Sequence, residues 1–245
     1  MRWFELLGAS MSRDTDAGIE AGSEFKTRFS IVQQSLVIDL GRRRRILSSA
    51  PRGGGFVQAR YVINHQVDAN PRRSDDPVRK CEWGDPARYL GLVARKVVAT
   101  HDCVALMTAV PMNRLVVLRE QAENLWIEGF FTAGVTNAVR AGDTVGTEEG
   151  YGPGTINMVL ITNARLTHSA MVCAVQVMTE AKTAALFRAN VRCWRGRPGA
   201  TGTGTDATVI VCGDGPPLKF SGTHTKIGMM IGQLVLRALH KGLRP

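Results

Sequence analysis

The sequence has no uninterrupted apolar run of about 18 residues, which is the length that a helix needs to cross a bilayer. Its N-terminus also lacks a charged segment followed by an apolar core, the pattern of a secretory signal. These two absences predict a cytoplasmic protein with no membrane partner.

Cysteines in metal-binding spacing are also missing. The chain contains 5 cysteines, an odd number, and no C-x-x-C pair of the kind found in zinc and redox sites. A metalloprotease-type H-E-x-x-H motif is absent as well. We therefore expect reduced, mostly structural thiols, no metal site and no cofactor of the protein's own. The cysteines are Cys81, Cys103, Cys173, Cys193 and Cys212.

Aromatic residues make up only 6% of the chain, and no helix-turn-helix, zinc-finger or ribonucleoprotein pattern accompanies the net charge of +10. Much of this charge lies in the arginine run at 42–45 and in a basic stretch at 72–80 that also holds Pro and Asp. Runs of charged residues such as these are usual on a solvent-exposed surface. We expect no nucleic-acid partner, although the charge would attract anions.

The remaining composition describes a globular enzyme-like domain. An apolar content of 44% without internal repeats or long linkers predicts one core, and 26 glycines favour close backbone approaches around a site. Residues 1–30 are polar and aperiodic, so we expect a poorly ordered extension there and the domain at 31–245. Oligomeric state is left open, a homo-oligomer included.

Periodicity predicts an α+β fold with a single domain, in which mixed β-sheet layers pack with helices and an αββα-like layering is one arrangement that fits. A hairpin is predicted at 35–48, with its turn at Gly41. Helices are expected at 86–99, 167–189 and 225–241, with Asp85 and Thr167 as caps of the first two. Other strands are predicted at 56–67, 103–110, 115–118, 126–135, 155–162 and 207–212.

Small hydroxyl residues and glycines form two candidate ligand loops. A loop after the first hairpin could bind an anion or polar ligand through inward N–H groups, and Asn64 on the next strand faces substrate or holds the loop. The second loop precedes a strand and holds Thr203, Thr205 and Asp206. The first loop contains Ser48, Ser49, Gly53, Gly54 and Gly55.

Polar residues at strand ends are the candidates for chemistry. Asn137 and Asp143 follow an apolar strand, where Asn137 could donate to an oxyanion. Thr155 and Asn157 are two residues apart behind a glycine-rich bend and so share one face of the next strand. In an ordinary structural role, each of these side chains would cap a loop.

The two late helices carry the remaining candidates. Glu180 and Lys182 cannot share a helix face, so one of them is expected to be buried, and the apolar neighbours favour Glu180 slightly. At the start of the last helix, Thr225 and Lys226 could hold an anionic or carbonyl oxygen, with His224 as acid or base oriented by Asp206.

Eight short motifs follow one another in a fixed order along the chain. They are Leu47-Ser-Ser-Ala-Pro with Gly53-Gly-Gly55, Leu106-Met-Thr-Ala-Val110, Thr132-Ala-Gly-Val-Thr-Asn-Ala138, Ala141-Gly-Asp143, Gly154-Thr-Ile-Asn157, Thr179-Glu-Ala-Lys182, Ala200-Thr-Gly-Thr-Gly-Thr-Asp206 and Gly222-Thr-His-Thr-Lys226. In this order they resemble the adenosylcobinamide amidohydrolase family from about residue 36 to 240.

The resemblance implies hydrolysis of the amide that joins the corrin ring's propionyl side chain to its aminopropanol arm, with the corrinoid as substrate and its cobalt as part of that substrate. A corrinoid- or anion-binding protein without turnover is the alternative.

A second, shorter likeness bears on mechanism. The segment from Gly154 to Asn163 is similar to the cleavage segment of self-processing aminopeptidases related to ornithine acetyltransferase. That likeness implies Thr155 as a nucleophile whose α-amine is freed by a cut after Gly154. The alternative is a water activated by Asp206, His224 or Glu180.

Overall fold

The computed structural model describes residues 25–68, 84–144 and 154–244. In these ranges the strands are β1 (Arg28–Val32), β2 (Ser35–Ser48), β3 (Gly55–Gln66), β4 (Cys103–Thr108), β5 (Val116–Ala122), β6 (Leu125–Ala133), β7 (Ala138–Val139), β8 (Ile156–Thr162), β9 (Arg165–Leu166), β10 (Gly202–Thr203), β11 (Ala207–Val211) and β12 (Pro217–Leu218). The α-helices are α1 (Pro86–Val98), α2 (His168–Arg188) and α3 (Lys226–Gly242), and a short 3-10 helix spans Met112–Arg114.

Eight strands form the main sheet, in the order β4-β3-β2-β11-β8-β6-β5, with β1 paired to β2 as well. The sheet is mixed: β3 runs parallel to β4 and β8 runs parallel to β11, whereas the other neighbours are antiparallel. Two small ribbons, β7 with β10 and β9 with β12, flank it. The predicted α+β class with a single domain is confirmed.

The predicted hairpin at 35–48 is wrong, because β2 is one bent strand. Gly41 has a φ of +75°, and the pairing of β2 with β3 shifts register between Asp39 and Arg44. A bulge of this kind bends a strand without reversing it. The bend lets one half of β2 pair with β1 and the other half pair with β11 along the same edge.

Apolar residues on the two faces of the sheet form separate cores. On one face, alternate residues of β8 such as Met158 and Leu160 are buried under α2 and α3. On the other face, Val159 and Ile161 join residues of β1, β2, β3, β4, β6 and β11. We call this second face the inner face, since the sheet curls around it and brings β3 and β4 near β8.

The helices begin at the predicted caps. The side chain of Asp85 accepts a hydrogen bond from Arg88 N, and that of Thr167 accepts one from Ala170 N. α3 ends at the edge of the sheet, where a Cβ added to Gly242 would lie 3.4 Å from Ala133 Cβ.

By length and composition α2 is apolar enough to span a membrane, contrary to the sequence prediction. Half of its most apolar 18-residue stretch is buried within the fold. This burial is that of a core helix.

The N-terminal part of the described chain is anchored from within the sheet. The carboxylate of Glu128, fully buried on β6, accepts hydrogen bonds from Lys26 N at 2.6 Å and Thr27 N at 3.0 Å. It also pairs with Arg119 Nη1 at 3.2 Å. The predicted boundary at residue 30 falls inside β1, and residues 1–24 lie outside the described ranges.

The predicted basic surface is only partly as expected. In the arginine run, Arg42 and Arg43 are exposed, but Arg44 and Arg45 are half-buried. Arg45 donates a hydrogen bond to the Leu166 carbonyl at 2.9 Å, so this side chain ties β2 to β9. The basic stretch at 72–80 and Cys81 lie outside the described residues.

A half-buried histidine connects α1 to the sheet. His65 Nδ1 lies 2.8 Å from Ser35 Oγ, and its Nε2 lies 2.9 Å from Tyr89 Oη on α1. Burial lowers the pKa of His65 from 6.5 to about 4, with a smaller contribution from the positive charge of Lys96. The ring is therefore neutral in the folded protein at pH 7.

This pKa predicts how stability depends on pH. The folded pKa of about 4 lies below the ordinary value of 6.5, so the unfolded chain binds the proton more readily between these pH values. The stabilisation is complete above pH 6.5 and is lost as the pH falls to 4. We expect the His65 contribution to the free energy of unfolding to fall by about 2 kcal/mol between pH 7.5 and 4.5. Urea unfolding of wild type and His65→Gln at both pH values measures it, and an equal loss in the two proteins would refute it.

Candidate functional site

The polar candidates meet where three neighbouring strands share an edge. β8 and β11 are parallel and begin side by side, with Asn157 opposite Ala207. β6 runs the other way and ends there, so Thr132 lies directly opposite Asn157. We call this edge, where β8 and β11 begin and β6 ends, the site edge.

Thr155 lies just before β8 at the site edge. Its side chain is buried, and its hydroxyl donates to the Thr205 carbonyl at 2.9 Å, with Asn157 Oδ1 at 3.4 Å as a second, longer acceptor. These two acceptors fix the direction of the hydroxyl hydrogen at the site edge.

Asp206 is fully occupied by hydrogen bonds. Its carboxylate accepts from Lys182 Nζ at 2.5 Å, Thr203 Oγ1 at 2.5 Å, Thr203 N at 3.0 Å and Ile156 N at 2.9 Å. Because the last bond reaches the first residue of β8, Asp206 fixes the backbone that carries Thr155. The carboxylate holds structure at the site edge and makes no hydrogen bond to His224.

Of Glu180 and Lys182 on α2, the lysine is the buried one. Lys182 is 8% exposed, and its side chain reaches from α2 to Asp206. Glu180 is exposed, so the slight preference for its burial was wrong. The physical reason is the ion pair: Asp206 offers Lys182 a partner that Glu180 lacks.

A buried chain of amides and hydroxyls continues from Thr155 across the inner face. Asn157 Nδ2 donates to Asn64 Oδ1 at 2.8 Å and to the Met107 carbonyl at 2.9 Å. Asn64 Nδ2 in turn donates to Thr132 Oγ1 at 3.1 Å. These side chains come from β8, β3 and β6, of which β3 is not adjacent to β8 in the sheet.

Asn137 packs against the residue that precedes Thr155. It is 7% exposed, and its Oδ1 is buried without a hydrogen-bond partner in the described structure. A Cβ added to Gly154 would lie 2.5 Å from this Oδ1, 2.8 Å from Thr136 Oγ1 and 3.1 Å from Asn137 N. The unpaired Oδ1 is an acceptor, whereas an oxyanion needs a donor, so Asn137 could serve that role through its backbone N–H, which lies beside Gly154, or through its side-chain Nδ2.

The first glycine loop reaches the site edge through its serines. Ser49 N donates to the Thr208 carbonyl and Ser49 Oγ accepts from Thr208 N, both at 3.0 Å. Ser48 Oγ accepts from Ala50 N at 2.9 Å. Gly53 has a φ of +74°, and a Cβ there would lie 3.2 Å from the Cys103 carbonyl. The hydroxyls and Gly53 therefore shape the loop itself, and substrate contact by Ser48, Ser49, Gly53, Gly54 and Gly55 stays a prediction.

The candidates at the start of α3 lie far from Thr155. Thr225 Oγ1 accepts from Gly228 N as the helix cap, and Lys226 pairs with Glu123 in the turn between β5 and β6. That turn lies beyond the far end of β8, about 23 Å away for seven residues at ~3.3 Å each. His224 is exposed near the same helix end. The predicted grouping of His224 with Asp206 is therefore wrong.

Asp143 is also separate. It is exposed and faces Arg197 at 3.9 Å next to the ribbon of β7 and β10. By contrast, the structure brings together at the site edge eight of the predicted residues: Thr155, Asn137, Asp206, Asn64, Asn157, Lys182, Thr203 and Thr205.

Two residues at the site were not selected from the sequence. Thr132 ends the inner-face side of β6, and Thr136 lies beside Gly154. The spacing along β6 could have identified Thr132, because it is two residues from Phe130 and four from Glu128, which also face inward. Within the described ranges, no group of three or more His, Cys, Asp or Glu side chains is placed to hold a metal ion.

A family model and one named relative give the same family. A family model described as adenosylcobinamide amidohydrolase matches residues 18–245. An uncharacterized protein of Methanocaldococcus jannaschii is 34% identical over 233 residues, covering 86% of each chain. A Methanosarcina mazei protein named adenosylcobinamide amidohydrolase is 29% identical over 200 residues, covering 78% of this chain and 86% of its own. A crystal structure of a Pyrococcus horikoshii OT3 protein aligns with a TM-score of 0.41 at 11% identity, over 89% of this chain and 78% of the other.

Proposed function

Because the chain belongs to the adenosylcobinamide amidohydrolase family, we propose that it hydrolyses adenosylcobinamide to adenosylcobyric acid and aminopropanol. The observation that carries this proposal is the match of the family model over residues 18–245, which includes every residue of the site edge. We also propose that the protein needs no cofactor of its own, since the cobalt enters with the corrinoid substrate.

Thr155 is the proposed nucleophile. Its Oγ would attack the amide carbonyl carbon, the C–N bond would break, and the hydroxyl proton would leave with aminopropanol, so that an ester to Thr155 remains. Water would then cleave this ester, releasing the new carboxylic acid and restoring the hydroxyl. The burial of Thr155 and the two acceptors that orient its hydroxyl support this role.

The geometry gives less support to an activated water. The carboxylate of Asp206 already accepts four hydrogen bonds, which leaves it a poor general base. Glu180 and His224 are exposed, and the start of α3, next to His224, lies at the far end of β8 from Thr155. Asn137 N–H, next to Gly154, is the proposed donor to the oxyanion that forms during attack.

The test is incubation of the purified protein with adenosylcobinamide, followed by mass spectrometry. We expect free aminopropanol and a corrinoid product with one new carboxylate, formed at a rate that a strong chelator changes by less than about twofold. A folded protein that binds the corrinoid but leaves it intact at high concentration would favour the alternative of a non-catalytic binding protein.

A further inference from the structure

The polar chain that crosses the inner face ends at the proposed nucleophile. It runs from Thr132 through Asn64 to Asn157 and then to the hydroxyl of Thr155. All four side chains are at most 5% exposed. Burial of several hydrogen-bonding groups in an apolar interior is costly unless each is satisfied, so such a chain restricts every member to one orientation.

The orientation of the Asn157 amide follows from its partners. Both of its N–H groups have acceptors, Asn64 Oδ1 and the Met107 carbonyl. A backbone carbonyl is never a donor, so the nitrogen of Asn157 must face Met107 and the oxygen must face Thr155. An exchange of the two amide atoms would place Oδ1 against the Met107 carbonyl and lose both bonds.

We infer that Asn64 is a positioning residue for the reaction, acting on Thr155 through Asn157. Asn64 Oδ1 holds Asn157 so that its own Oδ1 accepts from the Thr155 hydroxyl, beside the Thr205 carbonyl. The hydroxyl hydrogen is thereby directed towards the Thr205 carbonyl at 2.9 Å and Asn157 Oδ1 at 3.4 Å. This inference rests on the proposed role of Thr155 as nucleophile.

Two substitutions at Asn64 separate positioning from packing. Asn64→Leu keeps the branched shape and the number of side-chain heavy atoms but offers no acceptor to Asn157. Asn64→Asp keeps that acceptor, and the Thr132 hydroxyl can rotate to donate to the new carboxylate. We expect kcat of Asn64→Leu to fall by roughly 30-fold or more with KM changed by less than about threefold, and kcat of Asn64→Asp to stay within about fivefold of wild type.

A second measurement does not depend on the corrinoid. The rate at which phenylmethanesulfonyl fluoride labels Thr155, followed by peptide mass spectrometry, reports the reactivity of the hydroxyl directly. We expect labelling to slow in Asn64→Leu in proportion to its loss of kcat and to recover in Asn64→Asp. Asn64→Ser, whose hydroxyl is too short to reach Asn157, replaces the leucine variant if that variant does not fold.

The outcomes are distinguishable. Wild-type labelling without amide hydrolysis would reject the proposed substrate and leave the positioning inference to be judged from the labelling rates alone. Equal rates in Asn64→Leu and wild type, or equal impairment of the leucine and aspartate variants, would overturn the inference. A wild-type Thr155 that neither turns over substrate nor reacts with the probe would overturn it too.

Discussion

Thr155→Ala is expected to lower kcat for adenosylcobinamide hydrolysis by at least about 1,000-fold, because it removes the atom that would form the covalent intermediate. Corrinoid affinity should change little, since one buried methyl and the backbone remain in place. Steady-state kinetics and equilibrium binding of the corrinoid measure the two quantities. Thr155→Ser is the matched control, and we expect it to keep partial activity because it retains the hydroxyl.

A fully active Thr155→Ala protein would reject the nucleophile and return attention to an activated water. Denaturing electrophoresis of the same preparations tests the implied cut after Gly154. Self-processing would divide the wild-type chain into two fragments, and the alanine variant would stay intact because it cannot attack the preceding carbonyl. An intact and fully active wild type would reject processing while leaving Thr155 as a possible nucleophile.

Lys182→Met is expected to lower the free energy of unfolding by about 3 kcal/mol or more, because it leaves the Asp206 carboxylate buried without its counter-charge. Both side chains of this pair are nearly buried, at 11% and 12% exposed. Urea unfolding at pH 7 measures the change. Activity should fall as well, since Asp206 holds the first residue of β8 through Ile156 N.

Lys226→Met is the control for that prediction. The pair of Lys226 with Glu123 is far more exposed, at 42% and 76%, so its loss should cost less than about 1 kcal/mol. Equal destabilisation by the two substitutions would show that burial does not distinguish them. It would then remove the argument that Lys182 and Asp206 hold the site edge together.

Local signals predicted the elements well and their bends poorly. The caps Asp85 and Thr167 start α1 and α2 as expected, because a cap depends on residues within one turn. Gly41 carried an ambiguous signal, since a positive φ serves a tight turn and a bulge equally well. Only the later pairing of β2 with β1 and β11 decides between them, and that pairing is not visible locally.

The candidate site shows the same limit at longer range. Thr155 and Asn157 were grouped correctly because neighbours two apart on a strand share a face. Asp206 joins them because β11 lies parallel to β8, whereas His224 does not, because α3 follows the far ends of those strands. The segments at 200–206 and 221–226 are both rich in small hydroxyl residues, so their compositions do not distinguish them. Only the order of the strands in the sheet shows that the first reaches the site edge and the second does not.

The two ends of the described chain differ in their distance from the site edge, which matters for attaching anything to this protein. Lys26 and Thr27 are held by Glu128, four residues along β6 from Thr132, or about 13 Å. α3, in contrast, ends against Ala133, the neighbour of Thr132. A tag joined directly after α3 would therefore begin beside the site edge, which makes this end the poorer point of attachment for affinity tags and surface tethers.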